Sequence, residues 1–128
     1  MNQLQPKSEY MTKSKHDKAA LIERYANAIK EANRAAIDAH IANQEDGGTC
    51  NLDTLLIDFS GWRQTDVDKV ASFSGCSIGD KMSGWHKGCR FVWTSIHGQG
   101  NGRTRMVEAA YNKLKELGIP ASVWYQMD

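Results

Sequence analysis

Residues Cys89 to Leu117 constrain the fold more than any other stretch. They read as a strand (Cys89 to His97), a glycine-rich turn (Gly98, Gln99, Gly100, Asn101, Gly102) and a helix opening at Arg103–Thr104–Arg105. Side chains alternate across a pleated strand, so Phe91, Trp93 and Ser95 share one side, and Arg90, Val92, Thr94 and Ile96 the other. In the helix, Met106, Val107, Ala110, Tyr111, Leu114 and Leu117 recur at three- and four-residue steps, and Gly118 supplies the stop. A strand entering a helix through such a turn leaves backbone N–H groups bare at the positive end of the helix dipole. Arginines in that first turn oppose the dipole, where acidic residues are the rule. An anion bound at the helix start would resolve the conflict. The plain alternative is that the glycines merely turn the chain and the arginines are solvated.

Upstream, residues 1–13 are polar and without period, which predicts a mobile tail. Ser14 or Asp17 can then cap a helix running to about Glu45, where Asp46–Gly47–Gly48 stops it. Its inner face carries Ile22, Tyr25, Ile29, Ala32, Ala36 and Ala39, an alanine-rich stripe that admits close approach of another element. A helix of residues 14–45 exceeds what a small domain needs to cover its sheet, so part of it is expected to pack on a second subunit. Leu52 to Phe59 reads as a buried strand around Leu55–Leu56–Ile57. Gly61–Trp62–Arg63 turns the chain, Thr65 caps a helix to about Phe73 with Val67, Val70 and Ala71 inward, and Gly75 ends it. A short strand near Cys76–Ile78 and a glycine-punctuated connection lead to Cys89. Pro120 introduces a last strand, Ala121 to Met127, in which Val123 and Tyr125 alternate with Trp124 and Gln126.

The order is a long helix followed by β-α-β-β-α-β. That predicts an α+β fold, a ferredoxin-like antiparallel or mixed sheet with helices on one face and the leading helix as an addition. At 128 residues the chain makes one domain, residues 14–128, large enough to bury a core without staples. A net charge of +1 argues against bulk wrapping of duplex nucleic acid. The odd set Cys50, Cys76 and Cys89 has no CxxC spacing, and no apolar run reaches membrane length; a reducing cytoplasm is the expected compartment.

Catalytic signals are sparse. Cys76, His86, Cys89 and His97 have the chemistry to hold zinc, but at no standard spacing. There is no GxSxG elbow, and no lysine follows Gly98–Gly102 to complete a phosphate loop of the Walker type. Asp66 and Asp68 read as first-turn helix residues rather than an acid–base pair. The chain is therefore expected not to be an enzyme, and no cofactor is implied. Lys87–Gly88–Cys89–Arg90–Phe91–Val92–Trp93–Thr94 follows the RNA-recognition strand pattern in part, with Cys89 and Thr94 where base-stacking aromatics belong. A small RNA-binding domain is thus the alternative function.

Three segments carry a resemblance: Gly98–Gln99–Gly100 with Arg103–Thr104–Arg105–Met106, the ending Val123–Trp124–Tyr125–Gln126–Met127–Asp128, and Cys50–Asn51–Leu52–Asp53. Together they resemble the bacteriophage Thoeris anti-defence family of the first kind. The resemblance implies a phage sponge acting in the cytoplasm of an infected bacterium. Such a protein binds, without cleaving, the cyclic ADP-ribose signal made by host TIR enzymes, and some members assemble beyond dimers and hold cyclic oligonucleotides in separate pockets. The residues suit such a ligand on their own terms. Backbone N–H groups from Gly98 to Asn101, among them Gly100, with Arg103, Thr104 and Arg105, fit a pyrophosphate. Phe91 or Trp93 could stack the base, with core packing the plain alternative, and Asn101 or Gln99 could read its edge. Tyr125 and Asp128 could reach ribose hydroxyls, and Arg63 could add positive charge. Arg105 could equally form a surface ion pair with Glu108.

Overall fold

The computed structural model describes residues 9–43, 45, 47–48, 53–95 and 100–125. Its leading helix, α1 (Lys15–Ala42), starts where Ser14 Oγ accepts from the backbone N–H of Asp17. Strand β1 (Thr54–Asp58), helix α2 (Gln64–Ser74), strands β2 (Ser77–Lys81) and β3 (Cys89–Trp93), helix α3 (Gly100–Glu116) and strand β4 (Ala121–Trp124) follow. Short 3-10 turns occupy Glu9–Thr12 and Gly84–His86.

The sheet runs β2-β3-β1-β4 with every neighbouring pair antiparallel. Each β-α-β unit therefore has a strand of the other inserted between its own two strands, the split arrangement of the ferredoxin-like sandwich. Leu55 pairs with Val92 and Val123, and Ile57 with Arg90 and Ala121, so these residues share one face. The helices pack on that face. Ile22, Tyr25, Ile29, Ala32 and Ala36 of α1 join Val67 and Val70 of α2 and Met106, Ala110 and Leu114 of α3 in one core with Leu55, Ile57 and Val92.

Several boundaries differ from the sequence reading, each for a physical reason. α1 ends at Ala42, three residues early, where the N–H of Asn43 still closes on the Ala39 carbonyl but its backbone is already extended. Strand β1 is shorter at both ends than Leu52 to Phe59, and β3 stops at Trp93. There Ser95 is drawn away from the sheet by Asn33 of α1, whose side-chain oxygen accepts from the Ser95 backbone N–H at 2.9 Å. The first strand of the middle section lies at Ser77–Lys81 rather than Cys76–Ile78. Helix α2 opens at Gln64 after Arg63, with no side-chain cap from Thr65, and ends as expected at Gly75 in the left-handed conformation (φ 75°).

The larger correction concerns the predicted tail. Residues 1–8 lie outside the described residues, but Tyr10 is a core side chain. It stacks on Trp62 with ring centroids 4.4 Å apart, donates a hydrogen bond from its hydroxyl to Asp66 and accepts from the Arg63 backbone N–H at 3.2 Å. A polar composition hid one aromatic anchor.

Candidate functional site

Helix α3 starts at Gly100, three residues before the expected opening, so Gly100, Asn101 and Gly102 belong to its first turn. That turn is packed against the chain's own connection between α1 and β1. The Asn101 N–H donates to the Gly47 carbonyl at 2.8 Å, and Gly100 and Gly102 are buried. Arg103 donates from Nε to the Asp53 carbonyl at 2.7 Å and from Nη2 to Thr54 Oγ1 at 3.3 Å. Thr104 Oγ1 donates to the buried Asp53 carboxylate at 2.8 Å. Arg105 reaches the carbonyls of Asn43 and Glu45 and stands 3.7 Å from the Glu45 carboxylate, and no ion pair joins it to Glu108. The dipole conflict seen in the sequence is thus met largely by protein carbonyls and by Glu45 and Asp53. Gln99, with Gly98 and His97, lies outside the described residues.

Phe91 and Trp93 are not core. Phe91 pairs with Leu56, opposite in side to Leu55 and Ile57, and so stands on the sheet face away from the helices. Trp93 is 39% exposed, and its six-membered ring lies over Gly79, where a Cβ would come within 3.0 Å of it. Trp124 of β4 joins the same face. The Phe91 ring is 5.9 Å from Trp93 and 6.0 Å from Trp124, the latter edge-on at 89°. His86, in the 3-10 turn before β3, closes the row 5.2 Å from Trp124. Three aromatic rings and an imidazole thus form a partly exposed platform across the open face.

The remaining predicted residues scatter. Tyr125 is 61% exposed at the end of β4, and its hydroxyl donates to Glu108 at 2.6 Å. That bond pushes its pKa up to about 12, because ionisation would break it and set two anions together. Asp128 lies outside the described residues. Arg63 is on the helix side, in a pocket with Lys15, Lys18, Thr65, Asp66 and Lys69. It therefore belongs to a different surface from Phe91 and Trp93.

The thiols of Cys76 and Cys89 are raised in pKa, chiefly by burial, which disfavours the nucleophilic thiolate. Among the described residues, no three His, Cys, Asp or Glu side chains come together as a metal-binding group, and no helix is long and apolar enough to cross a membrane.

The chain matches no protein-family model, no curated protein and no solved structure.

Three residues lie outside the ligand-binding set read from the sequence. Trp124 and His86 complete the platform. The alternation in β4 carried a signal for Trp124, since it falls out of phase with Val123. Arg90 is the third, a guanidinium only 3% exposed that donates from Nη1 to the Gly79 carbonyl and to Gln64 Oε1, each at 3.1 Å. Its Nε finds no acceptor among the described residues. Nothing in the pattern of β3 marked that arginine as a core side chain.

Proposed function

We propose that this chain is a non-enzymatic sponge. It binds and sequesters a cyclic ADP-ribose-type immune signal, and so blocks host anti-phage defence, with the base seated on the open sheet face. The observation that carries this reading is Trp93, exposed on a central strand beside Phe91 and within one ring's reach of Trp124 through it. Aromatic platforms of this kind stack bases, at about 1–3 kcal/mol for each base. The resemblance to the Thoeris anti-defence family supports the identity of the ligand and admits cyclic oligonucleotides as further partners. A sponge requires tight binding without turnover, for which a platform lacking an activated nucleophile is suited. Arg103 and Arg105 then act mainly as fasteners of α3, and the base, not the pyrophosphate, provides the main anchor.

A second reading is favoured by the breadth of the platform. Rings on β3 and β4 with β1 between them could take two or three successive bases of single-stranded RNA. The near-neutral chain charge supports the small ligand over the polymer.

Titration of cyclic ADP-ribose isomers, followed by calorimetry and tryptophan fluorescence, tests the proposal. Trp93→Ala is expected to lower affinity about tenfold, as loss of one stacking partner implies, with the melting temperature unchanged. Arg103→Ala is expected to lower stability by about 1–3 kcal/mol, since it removes a charged donor from a buried carbonyl. Ligand released by heat should have its original mass. The opposite pattern, with binding lost in Arg103→Ala and retained in Trp93→Ala, would return the site to the helix start. A salt-dependent shift of single-stranded RNA without cyclic nucleotide binding would favour the second reading.

A further inference from the structure

The helix side carries a feature that the sheet face does not explain. A pocket of ≈470 Å³ lies between the first turns of α1 and α2, within the range of small-molecule sites. Lys15, Lys18, Arg63 and Lys69 line it against a single carboxylate, Asp66. That is a concentrated positive charge in a chain whose net charge is +1. Asp66 is already engaged, accepting the Tyr10 hydroxyl and standing 3.9 Å from Lys69. Lys18 Nζ sits 4.4 Å from the centroid of the Tyr10 ring. Neither Lys15 nor Arg63 forms an ion pair with a carboxylate among the described residues.

Arg63, which lines the pocket, immediately precedes α2. Helix α2 begins at the same place without a side-chain cap, so its positive end adds to the field. Four clustered cations and a helix start, set against the one carboxylate of Asp66, raise one another's energy unless a further anion joins them. Arginine, lysine and backbone donors around a hollow of this size are the means by which proteins hold phosphate groups.

We propose that this pocket binds a compact phosphorylated ligand through a multiply charged phosphate or pyrophosphate group. The site is separate from the aromatic platform, which lies on the opposite face of the sheet, and does not depend on the nucleotide reading.

Calorimetric titration of inorganic pyrophosphate into the full chain, with sulfate for comparison, tests it. The expected result is saturable binding that weakens with salt and exceeds that of sulfate. It should fall at least about tenfold in Lys15→Gln/Arg63→Gln and stay unchanged in Trp93→Ala. Both substituted side chains are exposed, and a thermal melt checks that the variant is folded. Should it melt early, Lys15→Gln alone repeats the test, with a smaller loss expected. Absence of saturable binding, equal affinity for sulfate, or affinity untouched by the substitutions would overturn the proposal.

Discussion

Tyr125 and Tyr25 titrate alike for opposite reasons. Burial pushes the Tyr25 phenol up to about 12, whereas the exposed Tyr125 reaches about 12 because its hydroxyl donates a hydrogen bond to Glu108. In both, the neutral form is the one the fold favours. Their contribution to stability is therefore complete below the ordinary tyrosine value of 10.0 and is lost as pH climbs from there towards 12. Glu108→Gln should bring Tyr125 back towards its ordinary value and leave Tyr25 where it is. Ultraviolet titration of the phenolates measures both. The arginines differ in the same manner: Arg103 and Arg105 looked like ligand residues because they oppose the dipole, yet their guanidiniums bond to carbonyls tens of residues away in sequence. Local sequence displayed the conflict but not its resolution, since the resolving groups lie near the end of α1 and the start of β1.

At the scale of elements, the alanine stripe of α1 has a clear use. Ala32 and Ala36 are essentially without exposure, and α1 packs on both α2 and α3 of its own chain. Small side chains let those axes approach closely. Ala36→Leu should therefore overpack the layer and cost about 1–3 kcal/mol, seen as a lower denaturation midpoint with little change in slope. This packing engages much of the helix within its own chain. It also decides the role of β3. Its alternation was plain in the sequence, but alternation cannot say which side the helices will cover. Phe91 and Trp93 became an open platform because Arg90 and Val92 took the core side.

For the whole molecule, the proposed homo-oligomer remains a prediction with a specific place to look. Helix α1 extends about 42 Å, and Ile41 in its last turn is 62% exposed, a large apolar side chain left mostly uncovered by the described residues. Light scattering on a size-exclusion column should give a mass above that of one chain, and Ile41→Lys should shift it towards the monomer. A monomeric native protein would end that proposal. The element order was legible from the sequence, because periodicity, caps and glycine stops are local signals: β-α-β-β-α-β after a long helix is what formed. So were the inward faces of α2 and α3, through Val67, Val70, Met106, Ala110 and Leu114. Only the tertiary structure decided which sheet face stays open, which charges are already paired, and that Lys15, Lys18, Arg63 and Asp66 meet at one pocket. Those outcomes depend on contacts between residues distant along the chain, where neither period nor composition carries information.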